Sequence, residues 1–218
     1  MVSDGPNVEI VKKVATAVKD LKKVGHQVFI VVGGGATARK YIEKAWKLRF
    51  SKAELDELGI AATRLNAKLL SLALDEPVGV EVPKTVEAAA GMALEGRIPV
   101  MGGTVPGHTT DTVAVMLANV SASELLVFIT DVDGIYTADP KKHPEAKKIP
   151  RLSTKELLKM FGRIKQEPGM KVVIDPVAVK LIDRYKIKTL VLPASELERL
   201  VQIVGGAEHS GTTVEPVG

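Results

Sequence analysis

Val28-Phe-Ile-Val-Val32, followed at once by Gly33-Gly34-Gly35 and Ala36-Thr-Ala-Arg39-Lys-Tyr-Ile42, is the stretch that decides the fold. A continuous apolar, mostly β-branched run predicts a strand buried on both faces, the mark of a parallel sheet. The glycines let the chain turn sharply, and helical spacing resumes from about Thr37 to Leu48. Strand, glycine turn and helix together make half of a βαβ unit.

The same alternation continues on either side. Upstream, Val11, Val14, Val18 and Leu21 recur at helical spacing, with Lys12, Lys13, Lys19, Lys22 and Lys23 on the other face and Gly25 as the breaker. Downstream, a long helix is predicted from about Lys52 to Leu74, with Leu55, Leu58, Ala62, Leu65, Leu69 and Leu72 on one stripe. Pro83 is expected to open a helix to about Leu94, Arg97 to Met101 to be a strand, and Thr109-Thr110-Asp111 to cap a further helix. Leu125 to Ile129 is the clearest strand, Asp131 to Pro140 a turn-rich loop, and Lys141 to Pro150 a basic surface stretch. Ser153-x-x-Glu156 reads as a capping box for a helix ending near Phe161. A helix after Pro176, a strand from Lys188 to Leu192, a helix from Ser195 to Val204 and an edge strand at Thr212-Thr-Val214 close the pattern. The reading is an α/β fold, a three-layer α/β/α sandwich on a mostly parallel sheet, formed by residues 1–218 as a single domain.

Composition narrows the function classes. Thirty Lys and Arg against 26 Asp and Glu give a net charge of +4, too mild to require nucleic acid yet compatible with a basic cleft for phosphates. Cysteine is absent, which excludes disulfides, thiolate metal sites and a cysteine nucleophile. No apolar run reaches the length of a membrane span and no leader is visible, so a cytoplasmic protein without membrane partners is expected. Asn occurs only at 7, 66 and 119 and Gln only at 27, 166 and 202, a scarcity of thermolabile amides that fits selection for heat.

Three loops follow strands, where open parallel sheets bind ligands. Gly33-Gly34-Gly35 offers backbone N–H groups at a helix start, a setting for an anion. Arg39, one turn later, is placed to reach the same anion. The run from Gly102 to Asp111 pairs glycines with Thr104, Thr109 and Thr110, whose hydroxyls suit a phosphate, and adds His108. The loop from Thr130 to Pro140 carries Asp131, Asp133, Asp139 and Tyr136. The four histidines have no metal-ligand spacing, and the acidic loop lacks the remaining ligands of a calcium site, so no protein metal site is expected.

These motifs, Val31-Val-Gly-Gly-Gly-Ala-Thr-Ala-Arg39, Val100-Met-Gly-Gly-Thr-Val-Pro-Gly-His-Thr-Thr-Asp111 and Thr130-Asp-Val-Asp-Gly-Ile-Tyr-Thr-Ala-Asp-Pro140, resemble the archaeal uridylate kinases of the amino-acid kinase superfamily, from about Val8 to Pro216. The resemblance implies transfer of the γ-phosphoryl group of ATP to UMP with magnesium, by a hexamer. It places Gly34, Arg39, Asp56, Thr104, Val105, Pro106, Gly107, His108, Thr109 and Thr110 at UMP, with Asp56 on the ribose hydroxyls. It places Gly35, Arg39, Thr130, Asp131, Tyr136 and Asp139 at ATP, and makes Arg39 and Asp175 catalytic, Asp175 by orienting the phosphate-binding groups. Members normally begin with a strand and a Lys-x-(Ser/Gly)-Gly turn, and this chain starts past that point. The expectation is a sheet without its first strand, a site without its lysine, and poor phosphoryl transfer by these 218 residues. Asp131 also stands where Asn or Lys is common, and Ala36 where a longer side chain is frequent. Two other readings stand beside this one: a non-catalytic UMP or UTP sensor of the same fold, and a carboxylate or carbamate kinase.

Overall fold

In a computed structural model, residues 5–77, 79–138, 140, 142–164 and 173–217 are described. The chain divides into two compact units, Met1–Val120 and Ser121–Gly218. The first contains α1 (Val8–Lys23), β1 (Ile30–Val31), α2 (Gly35–Lys47), α3 (Lys52–Ala73), α4 (Val86–Leu94), β2 (Val100–Met101) and α5 (Thr110–Val120). β1 and β2 pair in parallel, Ile30 opposite Val100 and Val31 opposite Met101. Residue alternation sends the two faces of this ladder to different cores. On one side Ile30, Val32 and Val100 pack with Ala15 and Val18 of α1 and Ala67 and Leu70 of α3. On the other, Phe29, Val31 and Met101 pack with Val86 and Ala89 of α4 and Val113 and Leu117 of α5. The unit is thus layered helix, sheet, helix.

Caps fix where these helices begin. The Asn7 side chain accepts from the N–H groups of Glu9 and Ile10, starting α1. Ser51 and Glu54 form a reciprocal capping box on α3. Thr85 caps α4 by accepting from Ala88 N, so that helix starts at Val86 rather than at Pro83. A hydroxyl that can satisfy an orphan N–H outweighs the preset φ of proline.

The predicted apolar stripe of α3 is covered only in its first half, with Leu58 half-buried. Leu55, Ala62, Thr63, Ala67, Leu70 and Ser71 are buried, while Leu65, Leu69 and Leu72 are 63%, 42% and 44% exposed. The helix carries two apolar stripes, and periodicity alone does not say which one meets its own sheet. Close packing does: the small Ala62, Thr63 and Ala67 let the sheet approach.

The second unit contains β3 (Leu125–Thr130), β4 (Ile135–Tyr136), β5 (Lys148–Ile149), β6 (Arg151–Ser153), α6 (Thr154–Ile164), α7 (Pro176–Tyr185), β7 (Lys188–Pro193), a 3-10 helix (Ala194–Arg199), α8 (Leu200–Val204) and β8 (Thr212–Glu215). The sheet order is β3-β7-β8-β6. β3–β7 and β6–β8 are parallel, and β7–β8 is antiparallel. β8 is therefore interior, not the edge strand its threonines suggest. Its hydroxyls are absorbed locally: Thr212 Oγ1 donates to Ile149 O at 2.6 Å and accepts from Ile135 N at 2.8 Å. β4 and β5 form an antiparallel pair inside the stretches read as loop and basic surface. Two-residue strands carry no measurable period, which is why they escape the sequence.

Candidate functional site

α3 ties together the loops that follow β1 and β2. These strands lie side by side, so their loops leave from the same end of the ladder, the last bond running from Val32 N to Met101 O at 2.8 Å. Asn66 Nδ2 donates to both Gly33 O and Gly34 O, at 2.9 and 3.1 Å. Arg64 donates from Nε to Gly103 O and from Nη2 to Thr104 O, at 3.1 and 2.9 Å. Thr63 Oγ1 accepts from Gly103 N at 2.7 Å and donates to Ile60 O at 2.6 Å. Asp56 Oδ2 accepts from Gly107 N at 3.0 Å. One helix thus holds both loops through four polar side chains.

Glycine is required where α3 crosses the end of β2. A Cβ at Gly102 would lie 2.5 Å from Thr63 Oγ1 and 2.8 Å from Arg64 N and the Thr63 carbonyl carbon. Gly35, the first residue of α2, has φ of +53°, a left-handed conformation that side chains resist. Gly33 faces Thr110, whose Oγ1 would be 3.7 Å from a Cβ added there. The first two predicted loops are therefore neighbours.

The other predicted residues of this unit can now be placed. Gly34 is the N-cap of α2 and is half-buried, and Arg39 is exposed one turn along. Arg39 lies with Ile42, Glu43, Trp46 and Lys47 along a shallow depression on α2, and makes no hydrogen bond to the glycine loop among the described residues. Thr104 is half-buried, and Val105, Pro106, Gly107, His108 and Thr109 are exposed. His108 N donates to Val105 O at 3.2 Å, closing a turn, and His108 Nδ1 lies 3.4 Å from Thr104 Oγ1. Thr109 Oγ1 accepts from Thr112 N at 3.1 Å, the capping role read from the sequence.

The third loop belongs to the second unit. Thr130 Oγ1 donates to Val132 O at 2.7 Å, and Asp131 is exposed. Tyr136 donates its phenol to Asp133 Oδ1 at 2.9 Å, and Lys148 Nζ lies 3.1 Å from Asp133 Oδ2. The hydrogen bond from Tyr136 is the main reason the Asp133 carboxyl is held below its ordinary range, and the same bond raises the phenol. Asp139 lies outside the described residues. Asp175 is the N-cap of α7, accepting from Val177 N and Ala178 N at 2.8 and 3.1 Å.

Sequence reading passed over Thr63, Arg64 and Asn66. A signal was present: polar residues at 63, 64 and 66 interrupt the core-facing side of a long apolar helix, where only partners make them tolerable. The pairing of Asp133 with Lys148 has no sequence signal, because it depends on a strand pair too short to read.

The Amino acid kinase family matches residues 1–193. The chain is 45% identical over 219 residues to a uridylate kinase of Pyrococcus abyssi, covering 99% of this chain and 95% of that one. It is 43% identical over 216 residues to a uridylate kinase of Methanococcus aeolicus, with the same coverage of 99% and 95%. Among solved structures, a uridylate kinase from Archaeoglobus fulgidus superposes with a TM-score of 0.83 at 40% identity, covering 95% of this chain and 93% of that one. A UMP kinase from Bacillus anthracis gives a TM-score of 0.80 at 23% identity over 100% of this chain and 91% of that one, which speaks to the fold.

Proposed function

The chain belongs to the amino acid kinase family, and from that premise we propose that it transfers the γ-phosphoryl group of ATP to UMP, giving UDP and ADP. The observation that carries this is the pair of loops after β1 and β2, held side by side by α3 and rich in backbone N–H groups and hydroxyls. Relatives named uridylate kinases match over nearly the whole length.

The chemistry needs little beyond placement. The UMP phosphate is mostly ionised near neutral pH, so no general base is required. The barrier lies in bringing two polyanions into line while charge spreads over the moving group. Gly34 and the segment from Thr104 to Thr110 hold UMP, with Asp56 on the ribose. Gly35, Thr130, Asp131, Tyr136 and Asp139 serve ATP. Arg39 neutralises charge at the reacting phosphates, and Asp175 orients the groups that bind them. Residues 1–218 act as one domain in this reading.

Magnesium enters with ATP. Among the described residues no group of three or more His, Asp or Glu side chains is placed to hold a metal ion. Magnesium keeps several of its waters and is commonly carried on substrate phosphates. When bound, it would shield the phosphate charge.

The protein works as a homo-oligomer, a hexamer, in the cytoplasm of a heat-adapted cell. The exposed stripe of Leu65, Leu69 and Leu72, together with Trp46 at 70% exposure, is apolar surface of the kind that subunits cover. No described helix is long and apolar enough to cross a membrane.

The test is a coupled assay of ADP release from ATP with magnesium, offering UMP, CMP and acetylglutamate in turn. Turnover with UMP far above the others is expected. Binding of UMP without turnover would overturn the kinase reading in favour of a sensor, and preference for acetylglutamate would favour a carboxylate kinase. Light scattering on the same sample tests the hexamer.

A further inference from the structure

We propose that Arg64 and Asn66 are positioning residues that set the direction of four backbone N–H groups, those of Gly34, Gly35, Thr104 and Val105, toward a phosphate. In a trans peptide unit the C=O and the N–H of the next residue point in opposite directions, and no cis peptide occurs among the described residues. Asn66 draws the carbonyl of Gly33 toward α3 and braces that of Gly34, which also accepts from Ala38 N at 3.0 Å. The N–H groups of Gly34 and Gly35 must then point away from it. Arg64 does the same to the carbonyls of Gly103 and Thr104, so the N–H groups of Thr104 and Val105 also turn away.

The neighbouring donor shows the contrast. Gly103 N–H, whose preceding carbonyl neither side chain captures, points into α3 and is consumed by Thr63 Oγ1. None of the four outward N–H groups has an acceptor among the described residues. All four follow paired parallel strands at one end of a ladder. Oriented N–H groups of this kind form anion-binding concavities, and their value lies in being aimed before the anion arrives. Arg64 in this arrangement is not itself a phosphate ligand. Its guanidinium fork is engaged with two carbonyls, a planar bidentate task that lysine performs poorly.

This inference rests on the reading that these loops hold UMP, and the experiment separates the two. UMP and uridine, which differ only in the phosphate, are titrated calorimetrically into the full-length protein and into Asn66→Ala, Arg64→Ala and Arg64→Lys. The wild-type protein should bind UMP more tightly than uridine. Each alanine variant should lose about tenfold in UMP affinity, or about 1.4 kcal/mol, with uridine affinity unchanged. Arg64→Lys, able to reach one carbonyl at a time, should lose about threefold. In turnover, KM for UMP should rise in proportion. If UMP and uridine weaken together, the side chains are merely structural and the proposal fails. If neither weakens, it fails also. Should Arg64→Ala not fold, Asn66→Ala and Arg64→Lys decide the matter by the same ratio. A wild-type protein that does not bind UMP would remove the underlying reading and this inference with it.

Discussion

Replacing Gly102 by alanine should damage the protein far more than its size suggests, because α3 leaves no room for the added methyl. The new Cβ would stand 2.5 Å from Thr63 Oγ1 and 2.8 Å from two backbone atoms, Arg64 N and the Thr63 carbonyl carbon. None of these is the free end of a flexible side chain, so the end of β2 or α3 must move. Overpacking of that kind costs about 1–3 kcal/mol, and losing the Gly103–Thr63 hydrogen bond adds about 1 kcal/mol. The total is about 2–4 kcal/mol, which at about 2–4 °C per kcal/mol for a chain of this size lowers the unfolding midpoint by about 4–16 °C. Gly91→Ala is the internal control. Gly91 sits within α4, and a Cβ there meets nothing within 4 Å. The same chemical change should raise stability by about 0.5–1 kcal/mol through helix propensity. Calorimetry of both variants, with UMP titration, checks the pair. Midpoints that move together, or a Gly102→Ala protein with unaltered midpoint and UMP affinity, would refute the steric argument.

Asp56→Asn should weaken UMP binding and leave the KM for ATP unchanged, because Asp56 holds Gly107 in the loop assigned to UMP; steady-state kinetics with each substrate varied decide this. Asp175→Ala should cost about 1 kcal/mol by uncapping α7, whereas Asp175→Ser should keep most of that stability. If turnover collapses in the Ser variant while its midpoint holds, the carboxylate matters for more than capping. Acid should destabilise the second unit. Burial holds His209 below its ordinary value of 6.5, and its buried Nδ1 has no partner among the described residues. The native state thus resists a proton that the unfolded chain accepts, so stability is full above about pH 6.5 and falls as pH drops below it. Hydrogen bonds from Ser210 hold Glu196 low, and the Thr154 hydroxyl holds Asp183 low, so both carboxyls deepen the loss at still lower pH. Unfolding midpoints measured between about pH 7 and pH 5 should fall in the wild type and fall less in His209→Gln.

Much of this was readable in advance where side-chain periods are long. The run from Val28 to Val32 identified a strand, although only Ile30 and Val31 form it and the run is half-buried, and its residues do divide between two helical layers. Ser153 and Glu156 announced α6 because a capping box is a local device, complete within four residues. What failed to show was non-local. Leu65, Leu69 and Leu72 are as apolar as the buried stripe of α3, and only the approach of the sheet distinguishes them. Thr212 reads as polar, yet it is buried because two backbone groups distant in sequence need its hydroxyl. Asn66 and Arg64 matter through carbonyls more than thirty residues away, a relation that no local pattern encodes.

The placement of β8 bears on how the chain is made. β6 pairs only with β8 among the described strands, and β7 needs β8 on its far side, so residues 212–215 bring the sheet's middle together last. The strands of unit 1, β1 and β2, pair with each other and are complete by Met101. At a synthesis rate of about 5–20 residues per second, the ribosome takes about 5–19 s to travel from Val120 to Glu215. Throughout that interval β1 and β2 are already paired, while β6 waits with an open edge. A ribosome stalled late in the message would therefore release a product whose β1–β2 ladder is paired and whose β6 edge is adhesive, the kind that chaperones and proteases must clear.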